Sequence, residues 1–348
     1  MTDLELKELL SLTDPAALRE LYDRAYRVKL QYIGPRVSIR GLIEVSNICA
    51  KNCFYCGIRR GNRLVKRYRI DADEIVATAV WAYEQKFGSI VMQSGEIESP
   101  EFAAFIESVL KRISAATGGG LGVTLSCGEQ SPEVYERWRN AGATRYLLRI
   151  EASNPELYRR LHPADHDFNA RLECLRSLRK LDYQVGSGVM IGLPGQTVDD
   201  LVHDLRFFEE FDLDMIGMGP YIPHADTPLG HDIEVTEEYR RRQLEAGLRM
   251  IACTRLLLRD VNIASTTALQ ALGDDGRELG LLAGGNVVMP NITETGYRKG
   301  YQLYEGKPSL EESSAESRDN LSRRIASIGE TIRWAESGDS LHYAARHR

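Results

Sequence analysis

The spacing of apolar residues along the 348-residue chain switches repeatedly between two periods. Over 4–12 and 16–30 apolar residues recur at helical spacing, and Thr13-Asp14-Pro15 between them reads as a stop and a fresh N-terminus where proline is tolerated. Over 37–45 the period drops to two, with Val37, Ile39, Gly41, Ile43 and Val45 alternating against other types, which predicts a strand. Beyond it the pattern predicts helices over 73–86, 102–115, 132–140, 170–181, 198–211, 236–257 and 269–281. Strands are predicted between them over 90–93, 122–126, 145–150, 185–191, 215–220, 262–265 and 286–289.

Eight strands alternating with helices predict an α/β fold, a (β/α)8 TIM-type barrel whose chemistry sits on loops at the C-terminal ends of the strands. A doubly wound open sheet competes, but no dinucleotide fingerprint follows the first strand. The expectation is a single domain, with N-terminal cap helices in 1–35 and the barrel in 36–307. Positions 308–348 then supply a polar linker over 308–316, a closing helix over 320–336 and a loose tail. The net charge of −6 excludes the usual basic nucleic-acid binder. The N-terminus lacks the apolar core of a signal peptide and no run approaches a membrane span, so a cytoplasmic chain, expected as a monomer, follows.

The candidate chemistry starts at Cys49-Ala-Lys-Asn-Cys53-Phe-Tyr-Cys56. Three thiols spaced this way in a short loop can each hold one iron of a cubane cluster, leaving the fourth iron open. A structural zinc wants four protein ligands, and a catalytic zinc rarely uses three cysteines packed so tightly. Zinc and unconnected thiols stay as the weaker alternatives. The loop continues basic through Arg59-Arg60-Gly61-Asn62-Arg63 and Lys66-Arg67-Tyr68-Arg69. Cys127, Cys174 and Cys253 read as buried thiols.

Cys-x3-Cys-x2-Cys with Tyr55 before the last cysteine resembles the signature of the radical S-adenosylmethionine (SAM) enzymes. The resemblance implies a [4Fe-4S] cluster on Cys49, Cys53 and Cys56 that cleaves SAM to a 5′-deoxyadenosyl radical, and an external electron donor. Gln93-Ser-Gly95-Glu96 resembles the motif that holds the methionine amino group. Arg145-Tyr-Leu-Leu-Arg149-Ile-Glu151 places charged residues on one strand face, and charges inside a barrel need partners or a ligand.

Further segments narrow the resemblance: Ser46-Asn-x-Cys, Gly192-Leu-Pro-Gly-Gln-Thr, Ile222-Pro-His-x-Asp-Thr-Pro-Leu, Ala264-x-Thr-Thr-Ala, Gly285-Asn-Val-Val-Met-Pro-Asn and Tyr301-Gln-Leu-Tyr304. Together, from about Arg36 to Lys307, they resemble the HydE family of [FeFe]-hydrogenase maturases. That likeness implies Tyr55, Gln93, Gly95, Glu96, Ser126, Glu151, Arg171 and Met190 near SAM, with Arg171 as a carboxylate clamp. It also implies Arg145, Arg149, Thr266, Thr267, Met289, Tyr301 and Tyr304 around a small organometallic iron substrate, a cysteine-bound Fe(CO)2CN unit. Two arginines and no carboxylate deep in the lumen suit such an anionic guest. Other hydrogenase maturation proteins are then the expected partners. Ile97-Glu98 and Ile150 depart from the family's usual residues, and no cysteine follows Cys253, so no second cluster is expected. A methylornithine-synthase-like mutase and a biotin-synthase-like sulfur inserter are the rival enzymes, and an iron-sulfur carrier the rival without catalysis.

Overall fold

The computed structural model describes residues 1–308 and 310–348. Two helices, α1 (Asp3–Leu10) and α2 (Pro15–Tyr32), begin at side-chain caps from Thr2 and Asp14. Strand β1 (Arg36–Ser46) follows, then α3 (Ala72–Glu84), β2 (Ser89–Ser94), α4 (Pro100–Thr117), β3 (Gly122–Ser126), α5 (Pro132–Asn140) and β4 (Ala143–Leu147). After α6 (Pro155–Leu161) and α7 (Phe168–Lys180) come β5 (Gln184–Ser187) and β6 (Met190–Ile191), α8 (Val198–Glu210), then β7 (Met215–Ile216) and β8 (Gly219–Pro220). Helix α9 (Glu237–Leu257), β9 (Asn262–Ile263), α10 (Thr267–Leu272), α11 (Gly276–Leu282) and β10 (Val287–Val288) complete the ring. The chain ends with α12 (Thr295–Arg298), α13 (Ser314–Ser327), β11 (Thr331–Ile332) and α14 (Leu341–Arg346).

All pairings in the main sheet are parallel, in the order β10, β1, β2, β3, β4, β5, β7, β9. The ring closes because Asn286 N–H donates to Ile263 O at 2.9 Å and Ser265 N–H to Val287 O at 2.8 Å. This is the expected eight-stranded TIM-type barrel. Ile39, Ile43, Ile90, Met92 and Val123 turn outward into one continuous apolar core beneath the helices. Ser38, Arg40, Leu42 and Glu44 take the opposite, lumen face of β1.

The predicted strands 185–191 and 215–220 are each broken in two, into β5/β6 and β7/β8. Gly188 explains the break: a Cβ there would lie 2.2 Å from Gly217 O, so the two chains touch backbone to backbone. The predicted helix 269–281 is likewise two helices, α10 and α11, divided at Gly273-Asp274-Asp275.

The C-terminus departs most from expectation. Helix α13 starts earlier than 320, at a capping box of Ser313 with Glu316, and ends well before 336 beside Gly329, which adopts φ +79°. The linker expected over 308–316 is shortened accordingly, and its position 309 lies outside the described residues. Nor is the tail loose. Strand β11 pairs with β1, and residues 336–340 plug the N-terminal mouth of the barrel. There Gly338 O accepts from Arg40 Nη2 at 3.1 Å and Asn262 Nδ2 at 3.0 Å, and Ser340 N–H donates to Gln184 Oε1 at 3.0 Å.

Candidate active site

The cysteine loop leaves β1 at the C-terminal mouth. Arg67 shapes it, donating to the carbonyls of Asn47, Ile58 and Arg59 at 2.7 Å each and to Asn62 O at 3.1 Å. Gly95 lets the loop lie against β2: a Cβ there would meet Ile48 O at 2.3 Å and Cys49 Cβ at 2.8 Å. Glu96 N–H points at Cys49 Sγ at 3.4 Å. Burial pushes all three thiols up, Cys53 to about 12. A cation that replaces their protons therefore relieves an environment hostile to bare thiolates. Among the described residues no three Cys, His, Asp or Glu side chains converge to hold one metal ion.

Tyr55 is anchored on the barrel side of the loop. Its hydroxyl lies 3.3 Å from His162 Nε2, while His162 Nδ1 lies 2.8 Å from Tyr158 O. Burial holds the His162 pKa down to about 3, so the ring is neutral; Nδ1–H then donates to the carbonyl and Nε2 accepts from the phenol. Tyr55 also packs against the apolar group containing Met190, Leu161 and Tyr221.

Beside the thiols lies a four-membered charge network that alternation along the strands did not reveal. Lys51 Nζ sits 3.1 Å from Glu96 and 2.8 Å from Glu129; Arg171 Nε sits 2.5 Å from Glu129 and Nη2 3.4 Å from Glu96. Burial raises the Glu96 pKa, whereas Arg171 and Lys51 outweigh burial at Glu129 and hold it low. Gly128, at φ +77°, makes room for this group, since a Cβ there would lie 2.2 Å from Glu96 Cγ. Arg171, expected to meet a carboxylate, meets those of Glu96 and Glu129, and its Nη1 donates to Arg149 O at 2.9 Å. It acts here as a positioning residue for Glu96 and Glu129.

Gln93 and Ser126 are register partners on β2 and β3, next to Glu44 on β1. Glu151, at φ +66°, is ion-paired through Oε2 with Arg149 Nη2 at 2.9 Å. Burial raises its pKa.

The lumen residues separate by height. Arg149, Thr266, Thr267 and Tyr304 belong to the upper end. The Thr266 hydroxyl and Arg149 Nε are buried without partners, and the Tyr304 pKa is pushed to about 12 by burial while it feels Thr267, Arg277 and Arg149. Tyr301 is buried under Lys307, whose ammonium lies 5.3 Å from its ring centre, with Glu44, Tyr68, Cys56 and Cys49 acting on it. Met289 lines a nearly filled lower cavity with Val91, Thr124, Leu147 and Met215.

Arg145 does not join the substrate group. It lies at the opposite mouth, ion-paired with Asp339 and donating to Ser337 O at 2.8 Å. The reason is elementary: four residues separate it from Arg149, roughly 13 Å along the strand direction. The expectation of a lumen without carboxylates also fails, because buried Glu44 pairs with Lys307 and accepts from Asn291 Nδ2 at 3.1 Å. Glu44, Lys51, Gly128, Glu129 and Lys307 were missed; single acidic or basic residues at strand ends carry no periodic signal.

The Radical SAM superfamily matches residues 43–208, from the last turns of β1 through α8. The [FeFe] hydrogenase maturase subunit HydE of Thermotoga maritima is 47% identical over 303 residues, 87% of this chain and 83% of that protein. The chain is a radical SAM enzyme of the HydE family. Other relatives of this HydE-family chain include the 3-methylornithine synthase of Methanosarcina barkeri, 27% identical over 94% of this chain and 89% of that one. The crystal structure of methylornithine synthase (PylB) superposes with a TM-score of 0.82 at 25% identity, covering 96% and 94% of the two chains. Family membership implies a [4Fe-4S] cluster and SAM, and the three thiols and the Gly95 cradle fit that pair. Among the described residues no helix is long and apolar enough to cross a membrane.

Proposed function

We propose that the chain acts in [FeFe]-hydrogenase H-cluster assembly, on a cysteine-bound Fe(CO)2CN precursor. The cluster held by Cys49, Cys53 and Cys56, when bound, supplies the electron that cleaves SAM to methionine and a 5′-deoxyadenosyl radical. Gln93, Gly95, Glu96, Ser126, Glu151 and Met190 surround SAM, Tyr55 closes the loop over it, and Arg171 keeps Glu96 and Glu129 in place. The substrate sits higher in the lumen than Met289, against Arg149, Thr266, Thr267, Tyr301 and Tyr304. Arg145 and Met289 have no direct part. One cluster suffices, since Cys127 and Cys174 bond backbone carbonyls and Cys253 is buried in α9.

The reading is supported by the upper lumen's donors, the Thr266 hydroxyl and Arg149 Nε, which have no partner within the chain and are available to a polar or anionic guest. Glu44 does not favour a lysine-handling mutase, because Lys307 already neutralises it. The test is Thr266→Val in a reconstituted maturation assay. Loss of a donor to an anionic ligand should weaken substrate use by about 1.5–3 kcal/mol, roughly 10- to 100-fold, with SAM binding unchanged. Full maturation in the variant, or a rise in melting temperature with free lysine, would count against this substrate.

A further inference from the structure

On the outer wall of the barrel, helices α10, α11 and α13 lie around a cleft of about 620 Å³, within the range of roughly 300–1,000 Å³ usual for small-molecule sites. No strand residue lines it, so it is separate from the lumen. Arg277 does line it, and is only 7% exposed. Among the described residues none of its guanidinium nitrogens makes a hydrogen bond or an ion pair, and Nε is wholly covered. Burial lowers the Arg277 pKa to about 10, so the group keeps its charge at neutral pH.

The carboxylates that act on Arg277 are already engaged. Glu278 turns both its oxygens to Arg324, with Nη2 at 2.7 Å, and Glu312 accepts from Asn320 Nδ2. Arg323, exposed on the same cleft, donates to Asn320 Oδ1 and has no carboxylate at ion-pair distance among the described residues. On α10 the Gln270 carboxamide oxygen is buried and accepts from nothing. Two guanidinium groups without counter-ions and an idle acceptor therefore line one cleft. A charge buried alone is costly, and an apolar side chain would fill the space between the helices at less expense. The planar fork of an arginine in such a place is free to meet an oxyanion bidentately.

We propose that this cleft is a second ligand site, which binds a small organic anion through a phosphate or carboxylate group held by Arg277 and Arg323. Gln270 then receives a hydroxyl or acid proton of the guest. The site adjoins the upper lumen, because Arg277 and Tyr304 act on each other electrostatically. A bound anion neutralises a cation beside the lumen without entering it. The inference depends on no step of the radical chemistry.

The test uses the full-length, cluster-loaded protein, with inorganic phosphate and citrate as probes against chloride at matched ionic strength. Isothermal titration should show saturable binding that Arg277→Gln weakens about 10- to 100-fold and Arg323→Gln about two- to fivefold. Tighter binding of phosphate marks a phosphoryl guest, and tighter binding of citrate a carboxylate one. In chloride alone Arg277→Gln should melt no lower than the parent, because it removes an uncompensated buried charge. The probe anion should then raise the melting temperature of the parent and not of this variant. No saturable binding of either probe, or binding unchanged in both variants, would overturn the proposal. If Arg277→Gln instead melts early in chloride, Arg323→Gln decides: weakened anion binding there sustains the site, and unchanged binding overturns it.

Discussion

Glu129 shows what a single residue can contribute without announcing itself in the sequence. It binds both Lys51 and Arg171, and through them fixes Glu96. Removing one member of a buried ion group leaves the others uncompensated, so Glu129→Ala should weaken SAM binding by on the order of 2 kcal/mol, about thirtyfold, by isothermal titration. Unchanged affinity would mean that the network is structural only. A second residue-scale prediction concerns Asp204, which accepts from Ser153 N–H at 2.8 Å and Oγ at 2.6 Å just past Glu151. Burial raises its pKa to about 7 from an ordinary 3.8. The folded state thus binds the extra proton between those values, and the stability it contributes, complete below about pH 4, is lost as pH rises through 7. Asp204→Asn should remove a stability loss on the order of 2–4 kcal/mol between pH 4 and 7, measured by urea unfolding. An identical pH profile in the variant would refute the assignment. The cysteine triad was legible because its spacing is rare. The error at Arg145 came from a different limit: alternation reports which face a side chain takes, not its height along the barrel.

At the scale of elements, the eight strands were legible because both faces of each are buried or alternate cleanly. The breaks at Gly188 and between α10 and α11 were not, since a glycine in an apolar run gives no sign of what will approach it. Gly188→Ala should therefore be far costlier than an exposed glycine substitution. With Gly217 O 2.2 Å from the new methyl, a loss of about 2–4 kcal/mol and a drop in melting temperature are expected. A variant as stable as the parent would show that the strands can part freely. The C-terminal plug was illegible for another reason: residues 336–340 have no period at all and are ordered by partners far away in sequence. Cutting the chain after residue 329 removes Asp339 from Arg145 and Gly338 O from Arg40, leaving two buried guanidinium groups unpaired. The truncated protein should aggregate or lose several kcal/mol of stability. Retention of a full cooperative transition would contradict the plug's role.

For the molecule as a whole, closure of the ring between β9 and β10 brings residues from opposite ends of the sequence to one mouth, where the thiol loop after β1 and the segments after β9 and β10 emerge together. On this reading the mouth performs reductive SAM cleavage on a cluster held by three cysteines. The most direct measurement combines iron content with 5′-deoxyadenosine formation, in anaerobically reconstituted wild type and in the variant with Cys49, Cys53 and Cys56 replaced by alanine. The wild type should hold about four irons and form 5′-deoxyadenosine with dithionite and SAM, and the variant should do neither. Retained iron with charge-transfer absorbance in the variant, or a fully loaded wild type that leaves SAM intact, would contradict the account.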